Sequence, residues 1–246
     1  MHSQTSRRST SRRRARKSLG PAALQPLTEL PQLRVRVYQS LRDGIVSGAL
    51  KPGTPLRPDT IAEQLEVSTT PVREALLSLE SDGALIKRPY QGWFVRDFSE
   101  GEARQMYELR ASLECLSVRL ACKRITSEEV NGLRAHQVVG SAALASQNID
   151  AYRRYNQDLH VAILQAARNS YLYSAMEQVS IQNQMLVART IRITGRPFRA
   201  LEEHARIIES IARGDSRTAE HLMGNHILSA LADVLRALRQ VTHEAD

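Results

Sequence analysis

The chain has 246 residues, 34 Lys and Arg against 26 Asp and Glu, and only 4% aromatic residues. This length allows two domains, and few aromatic but many aliphatic residues favour a helical core over a β-sandwich. No apolar run approaches about 18 residues, so we expect a cytoplasmic protein without a membrane-spanning helix.

Residues 1–28 form a basic arm. Residues 1–20 contain seven Arg and Lys and no acid, and such a segment cannot build a core, so we expect disorder. The composition resembles a transit peptide, while the twin arginines lack the apolar stretch of an export signal. Two further interpretations stay open: an arm that contacts DNA phosphates or a minor groove, and a solvated tail.

Residues 29–97 predict a winged helix-turn-helix domain. Helical spacing of apolar residues, capping residues and turn formers give the elements in order. They are a helix at 31–48, a helix capped by Asp59, a helix at 69–82 behind the capping Ser68, and strands at 85–88 and 93–96.

This segment resembles the DNA-binding domain of GntR-family transcription regulators. The resemblance lies in "LRDGIVSGALKPGTPL", "IAEQLEVSTTPVREAL" and "DGALIKRPYQGWFV". It implies double-stranded DNA as partner, with contacts from Ser68, Thr69, Thr70 and Arg73 of the recognition helix and from Gln91 and Gly92 of the wing. Thr69 departs from the Arg that the family commonly uses to read guanine, so the usual operator core does not follow.

Three charged side chains of this segment have alternative interpretations. Arg73, one turn into the recognition helix, suits a guanine or a phosphate, or an ion pair with Glu74. Lys87 and Arg88 are expected phosphate contacts, or solvated charges of the hairpin.

Residues 98–240 predict an antiparallel bundle of six helices, followed by a tail at 241–246, so the fold class is mainly α. Capping boxes at Ser99 with Glu102 and at Thr126 with Glu129 open the first two helices. The predicted helices span 99–122, 126–147, 150–168, 171–194, 197–213 and 216–240. Cys115 and Cys122 lie seven residues apart on one helix, about 10 Å along its axis, which is too far for a disulfide.

Four polar residues of the bundle predict a metal site. Asn156 and His160 share one helical face as i and i+4. His204 and His226 lie eleven residues either side of Asp215, the turn of the last hairpin, so they reach the same height. If the helix of Asn156 and His160 faces this hairpin, three imidazoles and one amide oxygen converge, and this ligand set suits Zn²⁺, Ni²⁺ or a similar divalent ion.

Residues 99–230 resemble the FCD effector domain of the FadR-type GntR subfamily, in its compact VanR-like form. The resemblance lies in "YELRASLE", "NQDLHVAILQAARNSYL", "EEHARIIESIARGD" and "GNH". It implies a cation held by Asn156, His160, His204 and His226, with Asn in place of the more usual Asp, and a small carboxylate effector held by Arg110.

Arg110 also has a structural interpretation, a salt bridge to Glu114 at i+4. Arg189, Arg192 and Arg196 are further candidates for the effector cavity, among which the sequence does not choose. The other histidines, among them His136 and His221, are expected to be bystanders.

The function that follows is a ligand-responsive DNA-binding transcription regulator. We expect a homodimeric repressor that reads a palindromic operator and is released by a carboxylate metabolite held near the metal. One alternative is a regulator that senses the metal itself. The other is a metal-dependent enzyme acting on a carboxylate, for which Asp158 and Glu203 are the nearest acids in sequence.

Overall fold

The computed structural model describes residues 30–190 and 195–243, and the side chains of residues 32–190 and 195–240. Within these ranges the chain forms nine helices and three short strands. The helices are α1 (Leu30–Ser47), α2 (Pro58–Gln64), α3 (Thr69–Ser81), α4 (Glu100–Arg124), α5 (Ser127–Ala145), α6 (Ile149–Ala166), α7 (Ser170–Thr190), α8 (Arg196–Ala212) and α9 (Ser216–His243). The strands are β1 (Pro55–Leu56), β2 (Leu85–Arg88) and β3 (Gly92–Val95).

Helices α1, α2 and α3 pack on a small antiparallel sheet with strand order β1-β3-β2. The apolar face of α3 is fully buried at Val72, Ala75, Leu76 and Leu79, because these residues recur at helical spacing and face α1 and the sheet. The winged helix-turn-helix predicted from the sequence is confirmed.

Two details of this domain differ from the sequence prediction. Asp59 does not cap α2: Arg57 occupies the N-cap and Pro58 begins the helix, with Asp59 in the first turn. Pro fits there because its missing N–H would have no partner anyway. Strand β1, which pairs with β3 through Leu56 and Trp93, was not predicted because two residues carry no periodicity.

The predicted bundle of six helices is confirmed as α4–α9. Both capping boxes are present, with Ser99 and Thr126 accepting from the backbone N–H groups of Glu102 and Glu129. The third helix was placed one residue late, since Asn148 is its N-cap and accepts from Ala151 N–H. The predicted end of the fourth helix at 194 lies outside the described residues.

The long helices α4 and α9 make the most extensive helix pair of the bundle. Tyr107 and Val118 of α4 and Met223 and Ile227 of α9 are buried. Cys115 and Cys122 are both free thiols. No helix in the described ranges is long and apolar enough to span a membrane. The predicted basic arm at 1–28 lies outside those ranges, as do residues 244–246 of the predicted tail, whose first three residues belong to α9.

Helix α7 joins the bundle to the winged domain. Arg42 of α1 donates to Gln184 Oε1 at 2.8 Å, and Arg189 donates to Asp97, which follows β3, at 2.6 Å. Gln182 donates to the backbone carbonyl of Asp82 at 3.2 Å. One face of α7 therefore rests on the winged domain.

Candidate functional site

Three imidazoles meet in the centre of the bundle. His160 comes from α6, His204 from α8 and His226 from α9. One nitrogen of each lies within 4.8 Å of the others, and the ring centroids of His204 and His226 are 4.6 Å apart. The structure thus brings together the three histidines that the sequence singled out.

Each ring is held by a partner at its Nδ1 atom. Nδ1 of His160 lies 2.7 Å from Glu114 Oε2, and Nδ1 of His226 lies 2.7 Å from Glu203 Oε2. A carboxylate oxygen only accepts, so in both rings Nδ1 carries the proton. In the neutral rings the Nε2 atoms then keep their lone pairs.

A hydrogen-bond chain gives His204 the same tautomer. Gln137 donates to the carbonyl of Leu201 at 2.7 Å, which orients its amide, and Tyr155 donates its hydroxyl proton to Gln137 Oε1 at 2.7 Å. The Tyr155 oxygen, 3.0 Å from Nδ1 of His204, must therefore accept from that nitrogen.

Burial sets the charge of the inner rings. The pKa values of His204 and His226 lie well below the ordinary value, first because both rings are buried and then because of neighbouring positive groups. Burial by itself would raise the pKa of Glu114, but the nearby His160 and Arg110 hold it below its ordinary value. Neutral imidazoles oriented by carboxylates are the arrangement that metal sites in proteins use.

The Nε2 atoms fit a divalent metal. Nε2 of His204 and His226 are 3.3 Å apart, and two nitrogens bound tetrahedrally to zinc at about 2.05 Å would be separated by about 3.3 Å. Nε2 of His160 is buried with no hydrogen-bond partner in the described part of the chain. The three imidazoles could therefore hold a metal ion between them.

Two cavities adjoin the histidines. The larger, about 760 Å³ including its open mouth, lies between α4, α6 and α7 and reaches Arg110, Asn156 and His160. The smaller, about 390 Å³, shares Arg110 and Asn156 and reaches His226. Asn156, one turn before His160, is half-buried and lines both cavities, and its role as a fourth metal ligand stays a prediction.

Arg110 forms the predicted salt bridge and lies in the cavity wall, while its role in effector binding stays a prediction. Its side chain is buried and its Nε donates to Glu114 Oε1 at 3.0 Å, which is the salt bridge considered as the structural alternative. It also lines both cavities. Arg110 therefore has a fixed position in the cavity wall, held by the carboxylate that orients His160.

The three further arginines that the sequence offered as candidates for the effector cavity have different surroundings. Arg196 is buried, pairs with Glu203 at 3.1 Å and with Asp233 at 3.2 Å, and lines the smaller cavity. Arg189 lies outside the cavities and pairs with Asp97. Arg192 lies outside the described residues. The bystander assignment fits His221, which is exposed and contacts Asn225.

Sequence reasoning did not assign the residues that orient the rings. Glu114 was considered only as a partner of Arg110, and Glu203 only as a neighbour of His204. A signal existed for both, since metal-binding histidines usually bond a carboxylate through the second nitrogen. Tyr155 and Gln137 gave no such signal.

The predicted DNA-contacting side chains of α3 lie on its exposed face. Ser68 and Thr70 are exposed, Thr69 is half-buried, and Ser68 is the N-cap. Arg73 is exposed and forms no ion pair with Glu74 or another acid among the described side chains. The N-terminus of α3 thus presents hydroxyls and a free guanidinium to solvent.

The wing projects from the same domain. Lys87 and Arg88 are exposed and lie over the rings of Trp93 and Phe94 at 5.0 and 4.4 Å, which limits their freedom. Gly92 has a φ of 91°, a conformation that favours glycine, and Gln91 beside it is exposed.

The family model for bacterial regulatory proteins of the gntR family matches residues 33–95, and the FCD domain model matches residues 105–229. The probable D-xylose utilization operon transcriptional repressor of Paenarthrobacter nicotinovorans is 30% identical over 205 residues, covering 80% of this chain and 88% of that protein. The repressor RspR of Escherichia coli K12 is 25% identical and covers 83% of this chain and 90% of that protein.

Solved structures show the same fold. Escherichia coli McbR/YncC superposes with a TM-score of 0.73 at 24% identity, over 83% of this chain and 97% of that one. A transcriptional regulator from Rhodococcus sp. RHA1 superposes with a TM-score of 0.69 at 22% identity, over 83% and 98%. With a gntR-type winged domain followed by an FCD domain, this chain belongs to the GntR family of DNA-binding transcription regulators.

Proposed function

We propose that this protein is a homodimeric repressor that leaves its operator when a small carboxylate binds beside a divalent cation in the bundle. The cation would be held by His160, His204, His226 and the amide oxygen of Asn156. The observation that carries the proposal is the convergence of three imidazoles, with one nitrogen of each within 4.8 Å of the others, beside a cavity that Arg110 also lines.

Zn²⁺ or Ni²⁺ suits the donor set because imidazole nitrogen is a borderline ligand. The cation supplies positive charge for an anionic ligand. Asn156 adds no negative charge, in contrast to an Asp, so the site keeps more of that positive charge for the effector. Arg110 adds a guanidinium, which pairs with carboxylates in a two-pronged geometry.

Helix α7 is the element that connects the site to DNA binding. Ser180, Asn183, Gln184 and Val187 line the larger cavity, while Gln184 also accepts from Arg42 of the winged domain. Gln184 in turn donates to Ser180 Oγ at 3.0 Å. A ligand that displaces Ser180 or Gln184 would change the support of α1, and hence the placement of the recognition helix.

On DNA, the proposed contacts are Ser68, Thr69, Thr70 and Arg73 of α3 with Lys87, Arg88, Gln91 and Gly92 of the wing. The helix N-terminus provides hydroxyls and N–H groups for phosphates, and Arg73 provides a fork for a guanine or a phosphate. A homodimer would place two such surfaces on a palindromic site.

The experiment starts with metal-stripped protein and an operator obtained by selection from random DNA. Organic acids are screened by thermal shift with and without Zn²⁺ or Ni²⁺, and each positive acid is tested for operator release by fluorescence anisotropy. We expect release that requires both the acid and the cation. A protein that binds operator equally under all four conditions would contradict the proposal.

Metal sensing is a second candidate, because the Nδ1 partners orient the three rings without any organic ligand. Under this alternative, Zn²⁺ or Ni²⁺ alone would release the operator from stripped protein. An enzymatic role is less well supported, because Glu203 is engaged by His226 and Arg196 and Asp158 is exposed away from the rings.

A further inference from the structure

Buried polar atoms without partners concentrate at one cavity. Among the described side chains, four buried polar atoms have no hydrogen-bond partner: Tyr107 Oη, Arg153 Nε, His160 Nε2 and Asn183 Oδ1. Three of these four residues line the larger cavity. An unsatisfied buried polar atom costs about 1–3 kcal/mol, so this clustering indicates groups that a ligand completes.

Arg153 and Asn183 both line the larger cavity, one from each helix of the α6–α7 hairpin. Helices α6 and α7 are joined by a three-residue turn in which Arg168 has a φ of 46°. Arg153 lies fifteen residues before Arg168 and Asn183 lies fifteen residues after it, so in this hairpin they reach the same height. His160 lies seven residues from Arg153, about 10 Å along α6.

The two atoms require complementary groups. Arg153 Nε–H is a donor without an acceptor, since the nearest carboxylate, Asp150, is exposed and 3.8 Å away. Asn183 Oδ1 is an acceptor without a donor. A hydroxyl group both accepts and donates, so one hydroxyl satisfies both atoms. A methyl group satisfies neither.

A second carboxylate fits this end less well than a hydroxyl. Such a carboxylate would accept a hydrogen bond from Arg153, but its oxygens carry no proton to donate to Asn183 Oδ1. Its charge would also be repelled by the carboxyl group of Asp150, which lies 3.8 Å from Arg153 Nε. Like charges at close range raise the free energy of the complex.

We infer that the effector is a hydroxy acid, with its carboxylate at the histidine end of the cavity and a hydroxyl group, several bonds away, between Arg153 and Asn183. The inference rests on the proposed function, in which a carboxylate binds beside the cation. It adds the chemical class of the ligand and two residues that select it.

The test compares matched acids on the zinc-loaded protein by isothermal titration calorimetry. The probes are butyrate with 4-hydroxybutyrate, hexanoate with 6-hydroxyhexanoate, and adipate. One hydroxy acid should bind about tenfold more tightly than its methyl-ended partner, because its hydroxyl group satisfies the buried atoms of Arg153 and Asn183. Adipate should bind more weakly than 6-hydroxyhexanoate.

Variants assign the preference to the two residues. Asn183→Leu and Arg153→Met should each remove most of the tenfold preference while butyrate and hexanoate still bind. Gln178→Leu is the matched control, because Gln178 is an exposed amide on the same helix. Both substituted positions are only partly buried, and a thermal melt of each variant verifies that it is folded.

The outcomes separate this inference from the proposed function. Equal binding of the hydroxy and methyl-ended acids at both lengths would overturn the inference alone, as would a preference that survives both Asn183→Leu and Arg153→Met. If no acid of any kind binds the zinc-loaded protein, the inference falls together with the carboxylate effector on which it rests.

Discussion

Nε2 of His204 and Nε2 of His226 face each other at 3.3 Å, while Nδ1 of each ring already has its own partner. Hydrogen bonding at Nδ1 leaves both Nε2 atoms as acceptors in the neutral rings, and two acceptors at this distance repel each other. A bound cation would convert this repulsion into shared coordination.

Removal of one ring should therefore abolish metal binding. We expect His204→Ala to lose stoichiometric Zn²⁺ binding, since two imidazoles and an amide make a poor site. The winged domain should stay folded, because the side chain of His204 contacts Tyr155, His160 and His226, which all belong to the bundle. Calorimetry with Zn²⁺ measures the binding, and operator binding without effector reports on the winged domain. His221→Ala, an exposed histidine on the same helix as His226, is the control that should keep wild-type affinity.

The carboxylates behind the rings should tune the metal affinity without being ligands. Glu203→Gln weakens the bond that orients His226, and we expect about 10- to 100-fold weaker Zn²⁺ binding. Glu202→Gln, which changes an exposed neighbour, should have no effect. Competition with a chromogenic zinc chelator gives the two affinities, and equal values would show that Glu203 does not support the site.

Arg110 and Glu114 should behave as a coupled buried pair. Arg110→Met leaves the Glu114 carboxylate buried without its guanidinium and should lower the free energy of unfolding of the metal-free protein by roughly 3 kcal/mol. The double variant Arg110→Met with Glu114→Gln should recover most of that loss, because no unpaired charge remains. Urea denaturation measures both. A single variant as stable as wild type would show that the pair contributes little.

Gln184 should transmit ligand binding to the DNA-reading domain. Gln184→Met removes the acceptor for Arg42 but keeps a side chain of similar volume in the cavity wall. We expect the effector affinity to stay nearly unchanged. The coupling energy between effector and operator binding, typically about 1–3 kcal/mol, should become smaller.

The matched control for this coupling is Gln178→Met, on the exposed face of the same helix. Operator titrations with and without effector give the coupling energy of each variant. An unchanged coupling energy in Gln184→Met would assign transmission to another contact of α7, such as Arg189 with Asp97.

Arg73 should contribute to operator binding. Arg73→Met removes an exposed guanidinium at the start of the recognition helix, and we expect a loss of about 1–3 kcal/mol in operator affinity. Arg119→Met, on the bundle, is the control. If Arg73 contacts a guanine, discrimination at that base falls as well. If it contacts a phosphate, affinity falls equally for all sequences and the salt dependence becomes weaker.

Local patterns were sufficient for the elements that positioned the site. The capping boxes at Ser99 and Thr126 depend only on residues three positions apart, and their prediction was correct. Asn156 and His160 share a face through helical periodicity alone. His204 and His226 could be paired because Asp215 marks the turn midway between them, and a short turn makes adjacent helices antiparallel.

Contacts between elements distant in sequence could not be predicted in this way. Glu114 reaches His160 from α4, Tyr155 reaches His204 from α6, and Gln184 reaches Arg42 across 142 residues. Such contacts depend on how each helix is rotated about its axis and how far it slides along its neighbour. Those quantities follow from the packing of many apolar side chains at once.

The sequence by itself determined the helices, the winged domain and the pairing of His204 with His226 at one height, because short-range spacing encodes each of them. Only the tertiary structure decided which nitrogen of each ring is free, that Arg110 is held by Glu114, and that one wall of the cavity also supports the DNA-reading domain. These contacts depend on the rotation and register of the helices. Rotation and register are properties of the packed core rather than of any single segment.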